Sequence, residues 1–222
     1  MVSIDGKIDG KFMDEPQSDP VGDYYEDWKN NNGKAWGNGS NTHAKFFGYH
    51  EVDYSVYDTS SIDYSDYVII DDERNYIVTF DTKGKCNWNT NTVDYFGISR
   101  NLMVLSKQVR KEYLAHLQAL NIPYIFAGED KIELSVALEK LKKLFGIDTL
   151  VMCGGAVING AFLKDDLVDE ISLVVAPYVE GDEGATVMNT KGAFNNKELV
   201  FQSADAIPGN GVHLKFSKLI EK

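Results

Sequence analysis

Few residues of this 222-residue chain can bind a transition metal or grip a phosphate. Two cysteines, Cys86 and Cys153, make no disulfide framework and lack the paired spacing of a zinc site. Four scattered histidines do not repair that, so no metal site is expected, and a reducing, cytoplasmic setting is the default. No apolar run approaches the length of a membrane span, and the opening residues MVSIDGKIDGKF carry no apolar signal region. Arginine occurs only at Arg74, Arg100 and Arg110. With a net charge of −12 and a pI near 4.7, the chain has no basic face for nucleic acid or an anionic membrane. An anionic small molecule stays open, because a local cluster of donors overrides a distant negative field.

What is present is an ordinary globular composition, 43% hydrophobic and 25% charged, on a chain long enough for one large core. Residues 2–8 read as a first strand broken at Asp5-Gly6, Lys11 to Val21 as loop, and Gly22 to Asn32 as a short helix. Ala35-Trp36 reads as a buried strand entering a polar turn, Gly37 to Thr42, with Thr42 capping a helical turn to Phe47. Tyr49 to Asn75 is acidic and dense in tyrosine, either a solvated loop or a flap or dimer-contact arm. Tyr76–Phe80, Leu102–Leu105, Tyr124–Ala127 and Leu150–Cys153 are apolar strands. Val109, Tyr113, Leu117 and Leu120 recur at helical spacing behind Ser106 as N-cap. Leu134, Ala137, Leu138, Leu141 and Phe145 do so before Gly146. Ile171–Val175, Leu199–Ser203 and Val212–Ser217 follow, the last with Val212, Leu214 and Phe216 inward and His213, Lys215 and Ser217 outward. Alternating strands and helices imply a mostly parallel sheet, and the closing pair an antiparallel C-terminal hairpin. No internal repeat or linker stands out, so residues 1–222 are expected to form a single domain.

The stretch with the clearest chemistry is Thr149 to Gly160, TLVMCGGAVING. A buried strand breaks at Gly154-Gly155 and opens a helix whose first amides have no intrahelical acceptor, which makes an anion site. Its glycine spacing is not that of the usual dinucleotide fingerprint, and no acidic residue follows about 20 positions on. Two further junctions join it: Gly39-Ser40-Asn41-Thr42 and Ser106-Lys107. In a parallel sheet all three fall beyond the carboxyl ends of strands, where ligands bind, and together they suit a ligand with several phosphates.

Ser3-Ile4-Asp5-Gly6-Lys7-Ile8 and the block from Tyr76 to Tyr178 resemble the reductase domain of the riboflavin-biosynthesis deaminase–reductases, within the dihydrofolate-reductase-like superfamily. The block holds a Gly-Gly, an Asn-Gly, a Leu-Val-Asp-Glu and a closing Ala-Pro in order. The resemblance implies a dihydrofolate-reductase-like three-layer α/β sandwich, an NADPH cofactor, a small-molecule substrate and a homodimer. It implies reduction of 5-amino-6-(5-phosphoribosylamino)uracil, whose ribose opens to an imine and takes hydride at the former anomeric carbon. Carried over residue by residue, Gly154, Gly155, Ala156, Val157, Asn159 and Gly160 would cradle the pyrophosphate. Gly39, Ser40 and Thr42 would meet the cofactor at the neighbouring loop, with Ser106 and Lys107 near the adenosine 2′-phosphate. Ser3, Asp5 and Lys7 would face the substrate, Lys7 relaying a proton and Asp5 orienting it. Cys153 stands where the pathway reductases usually carry a glutamate against the substrate, which leaves the substrate open. A dihydrofolate-type reductase, with Asp23, Glu26 or Asp27 binding a pterin, and a non-catalytic NADPH-binding module are the alternatives.

Overall fold

The computed structural model describes residues 1–47, 50–70, 75–181, 184–192 and 194–219. The helices described are α1 (Ser18–Asn32), α2 (Ser40–Phe47), α3 (Lys111–Ala119), α4 (Leu134–Phe145) and α5 (Ala156–Lys164). The strands are β1 (Ala35–Gly39), β2 (Asn75–Phe80), β3 (Thr92–Asp94), β4 (Ile98–Leu105), β5 (Tyr124–Phe126), β6 (Leu150–Gly154), β7 (Glu170–Val175), β8 (Leu199–Ile207) and β9 (Gly211–Lys218). Backbone contacts divide the chain into two compact units, one of residues 32–153 and one of residues 1–31 with 154–222.

The first unit is built on a sheet of order β3-β4-β2-β1-β6, with β5 also beside β4. The β1–β2, β2–β4 and β4–β5 pairs are parallel, and β3 runs antiparallel to β4. β2 and β4 are buried at nearly every position because a parallel strand is covered on both faces, which is why they read as unbroken apolar runs. Gly39 lies opposite Phe80, and Phe80 opposite Val104, so three strands end at one level. α4 buries Leu134, Ala137, Leu141 and Phe145, as their spacing predicts, and Gly146 closes it.

Two expected caps fall elsewhere. Gly37–Gly39 is strand rather than turn and α2 starts at Ser40, so Thr42 sits inside the first turn and does not cap it. α3 begins at Lys111 behind Arg110, so Ser106 is not its N-cap. The Ser106 hydroxyl instead donates to Thr82 O (2.8 Å) and accepts from Gln108 N (3.2 Å), tying together the loops that follow β2 and β4.

The acidic insert is not a solvated loop but a strap packed on the first unit. Tyr49 and residues 71–74 lie outside the described residues. Between them runs a pentad that the sequence reading missed: Asp53-Tyr-Ser-Val-Tyr57, Asp58-Thr-Ser-Ser-Ile62, Asp63-Tyr-Ser-Asp-Tyr67. In each pentad the aspartate accepts from the amide and the hydroxyl of the serine two residues on. Each local turn aims its fifth residue at the core, and Tyr57, Ile62 and Tyr67 pack against the Trp88, Met103, Leu114 and Tyr124 cluster. Tyr57 Oη meets His116 Nδ1 at 2.8 Å while His116 Nε2 lies 2.8 Å from Trp88 O. A carbonyl can only accept, so Nε2 carries the proton and Tyr57 donates to Nδ1. Burial keeps the His116 pKa below its ordinary value, consistent with that neutral tautomer. Asp66 closes the strap, accepting from Phe126 N (2.8 Å) and from Lys140 (2.8 Å).

In the second unit β7, β9 and β8 form an antiparallel sheet of their own, so the expected hairpin is joined by β7. Part of Lys11–Val21, expected as loop, is ordered: a 3₁₀ turn spans Lys11–Asp14 and α1 starts at Ser18. Pro20 fits there because a first-turn N–H has no intrahelical acceptor to lose. The facing of β9 is reversed at its start. His213 is fully buried and Val212 is 38% exposed. Tyr24 Oη (2.8 Å to Nδ1) and Ser172 Oγ (2.6 Å to Nε2) satisfy both ring nitrogens, and Trp28 packs edge-on at 5.4 Å. A polar side chain whose hydrogen bonds are all met can be buried, and alternation alone cannot reveal that.

Ile62 is 5% exposed and is the one aliphatic anchor of the three pentads. Ile62→Ala is expected to lower stability by about 2–4 kcal/mol, read from urea unfolding. Val56→Ala, at an exposed position of the same strap, is expected to change it by less than about 0.5 kcal/mol.

Candidate functional site

In the second unit the N-terminal residues form a tight turn. Ser3 N donates to Lys7 O (2.9 Å), and Gly6 takes the left-handed conformation (φ 77°) that a side chain would resist. Ser3 is 1% exposed; its hydroxyl accepts from Lys7 N (3.0 Å) and donates to Asp5 Oδ1 (2.6 Å). Asp5 also accepts from Glu180 N (3.0 Å) and Gly181 N (2.9 Å). The Ser3 hydroxyl first, then these amides, hold the Asp5 pKa down to about 2. The carboxylate is therefore occupied by the turn. No ion pair joins it to Lys7 among the described residues, which corrects the expectation that Asp5 orients that lysine.

The Gly-Gly junction lies in the same unit. The Gly154–Gly155 peptide is cis, and Gly154 has φ 119°, open to glycine and strained for other residues. A Cβ placed on Gly154 would stand 3.5 Å from Asn159 Nδ2 and 4.0 Å from Ile8 Cδ1, so the junction adjoins the N-terminal segment. No side chain caps α5 at Gly155. The amides of Ala156, Val157 and Ile158 precede the first intrahelical bond of that helix, from Asn159 N to Gly155 O. Asn159 Nδ2 donates to Val187 O (3.0 Å), while its buried Oδ1 has no partner. Gly160 has a packing reason of its own: a Cβ there would run into Asn189 O. Cys153 is half-buried, its thiol directed at Val151 O (3.5 Å) in its own strand.

In the first unit, Gly39, Ser40 and Thr42 lie at the β1–α2 junction and Ser106 and Lys107 just past β4, at the common strand end. Ser106 is buried and Lys107 is exposed, paired with Glu129 at 2.6 Å. Sequence reasoning missed Asp81, which closes the loop after β2 by accepting from Lys85 N (2.5 Å) and Cys86 N (2.8 Å). The signal was there as an aspartate leading the turn Thr82-Lys83-Gly84-Lys85. Burial, then the neighbouring Asp81, pushes the Cys86 thiol well above its ordinary pKa, so it is no nucleophile. Of the acids proposed for a pterin, Glu26 is buried and paired with Lys29, while Asp23 and Asp27 are exposed. Among the described residues no three His, Cys, Asp or Glu side chains gather as a metal site, and no helix is long and apolar enough to cross a membrane.

A family model described as the RibD C-terminal domain matches residues 71–214, more than half of the chain. The curated 2,5-diamino-6-ribosylamino-4(3H)-pyrimidinone 5′-phosphate reductase of Aquifex aeolicus is 29% identical over 100 residues, 45% of this chain and 44% of that protein. The match thus spans less than half of that relative. The structure of a pyrimidine reductase-like protein from Corynebacterium diphtheriae superposes with a TM-score of 0.67 at 14% identity, covering 99% of this chain and 90% of its own. Acinetobacter baumannii RibD does so with a TM-score of 0.65 at 16% identity, covering 98% and 56%. At such identities the structures establish a common α/β fold, with a mostly parallel sheet and an antiparallel one.

The Asp5 turn has a pH signature. A carboxyl whose folded pKa is depressed adds stability that is complete above its unfolded value of 3.8 and is lost as pH falls toward about 2. Between those limits the urea midpoint of the native chain is expected to fall more steeply than that of Asp5→Asn. Parallel curves would mean that Asp5 does not brace the turn.

Proposed function

This chain belongs to the RibD C-terminal domain family, and we propose from that premise that it is an NADPH-dependent reductase of a ribosylamino-pyrimidine 5′-phosphate. The observation that carries the cofactor is the Gly154–Gly155 junction running into an uncapped α5. Bare backbone, three amides without intrahelical acceptors and a helix dipole suit a pyrophosphate. The orphaned Asn159 Oδ1 beside Gly154 adds an acceptor for a ribose hydroxyl or an amide N–H. Within the second unit Gly154 to Asn159 would hold the pyrophosphate; within the first, Gly39, Ser40 and Thr42 offer a cofactor contact of their own. Gly160 serves the Gly154–Gly155 junction by letting the chain at Asn189 approach α5.

NADPH, when bound, supplies the hydride that reduces the opened ribose at its former anomeric carbon. Lys7 Nζ carries the proton needed at the imine nitrogen. The Ser3–Asp5 turn holds the Lys7 backbone, rather than its ammonium group, in place. Cys153 cannot accept hydrogen bonds from a pyrimidine as a carboxylate does, so recognition of the base falls to other groups. The exposed face of β8 and β9, where Phe201 (59% exposed) packs on Phe216 at 5.9 Å, is our choice for a homodimer contact.

Saturating NADPH is expected to raise the melting temperature, by about 2.7 kcal/mol of stabilisation at a hundred times Kd. Lys7→Ala is expected to lower kcat on 2,5-diamino-6-ribosylamino-4(3H)-pyrimidinone 5′-phosphate by at least about 100-fold while leaving that shift intact. No shift would refute the cofactor, and a shift without turnover of any pyrimidine or pteridine would mark a binding module. Phe201→Asp is expected to halve the mass seen by light scattering.

A further inference from the structure

An open cavity of about 970 Å³ lies within the first unit, between the start of the strap, the loop after β2 and the head of α3. Its walls include His50, Glu51, Asp53, Lys85, Asn87 and Arg110. One wall is a hydrogen-bonded chain: Tyr54 Oη donates to Asn87 Oδ1 (2.6 Å), and Asn87 Nδ2 to His50 O (2.9 Å). The Arg110 guanidinium stacks on the Tyr54 ring, 3.7 Å from its centroid, and so is held on one face and open on the other.

The charges around this cavity are unevenly committed. Asp53 is tied back into its pentad by Ser55, whose hydroxyl first and amide second keep its pKa low. Glu51 is the exposed acid that remains. Neither Lys85 nor Arg110 forms an ion pair among the described residues, whereas Lys107 is neutralised by Glu129 at 2.6 Å. No side chain caps α3, which begins at Lys111 directly behind Arg110, so the dipole of that helix adds to the positive side. The Ser106–Thr82 hydrogen bond links the two loops carrying these cations at the shared strand end where Gly39 and Ser40 also lie.

We propose that Lys85 and Arg110 read a phosphate monoester, the 2′-phosphate at the adenosine end of the cofactor, in place of Lys107. The guanidinium forks onto the phosphate and the face turned away from Tyr54 offers a platform to the purine, while Lys85 supplies a second, point-like charge. The strap thereby makes a specificity wall: its Tyr54 orients the arginine, and its Glu51 opposes the phosphate. This inference rests on the NADPH reading above.

The test compares dissociation constants for NADPH and NADH, and for 2′,5′-ADP and 5′-ADP, by calorimetry on the whole chain. Lys85→Ala and Arg110→Ala are each expected to weaken NADPH and 2′,5′-ADP by about tenfold or more while leaving NADH and 5′-ADP nearly unchanged. Glu51→Gln should tighten the phosphorylated pair, and Lys83→Ala, on the same loop but outside the cavity, should change nothing. Should Arg110→Ala disturb the strap, Lys85→Ala and Tyr54→Phe carry the test, the latter keeping the ring and removing its bond to Asn87. Unchanged preference in the Lys85 and Arg110 variants, or its loss on Lys107→Ala instead, overturns the assignment and leaves the reductase standing. Failure of the native chain to bind any of the four ligands refutes the cofactor reading itself.

Discussion

The parallel register of β1, β2 and β4 is the constraint on which the first unit depends. Because Gly39, Phe80 and Val104 sit side by side, every connection that leaves these strands starts from one edge. The edge is crowded with backbone that the strands no longer satisfy, and the chain settles it with short polar side chains. Asp81 takes two amides of the loop after β2, and Ser106 ties that loop to the next. These bonds have a second consequence. They tie down the loops that carry Lys85 and Arg110, which is what a site needs if its charges are to be presented at low ordering cost.

The same demand for satisfied hydrogen bonds explains what the sequence made legible. Strands such as YIVTF and the α4 stripe could be found because burial on both faces, or on one helical face, writes a periodic signal. The Gly-Gly junction was legible for a related reason, since few residue types can follow a buried strand into an uncapped helix. The α/β class and the antiparallel end followed from alternation and from the Pro208-Gly209-Asn210-Gly211 turn. His213 was misplaced because its two partners, Tyr24 and Ser172, come from distant parts of the chain, and period-two counting treats any histidine as outward. The Ser106 cap failed differently: the right residue was identified, but its hydroxyl found a cross-loop carbonyl before a helix amide.

The strap shows how composition misleads when spacing is ignored. Asp, Ser and Tyr in quantity suggest solvent, yet the pentad separates their roles. Asp and Ser close each local turn on themselves, which removes the cost of leaving backbone amides unpaired. That frees one residue in five to enter the core. Tyrosine suits the remaining positions because its ring buries while its hydroxyl finds Asn87, His116 or Val109 O. The unit of information was five residues long, shorter than the windows in which helices and strands are sought.

A net charge of −12 opposes an anionic ligand, but its reach is short. At physiological ionic strength exposed charges are screened over about 8 Å, so distant acids hardly matter and the local balance decides. At Lys107 that balance is neutral because Glu129 occupies the ammonium, and a phosphate would have to displace a carboxylate already in contact. Around the cavity it is not: Asp53 is turned into its own pentad, leaving Glu51 among the lining acids against two cations that form no ion pair among the described residues, and a helix terminus. An acidic protein can therefore hold a phosphate without a basic surface, provided its own acids are bonded elsewhere. On this chain the Asp-x-Ser turns do that bonding, so the segment that looks most hostile to an anion is the one that clears a place for it.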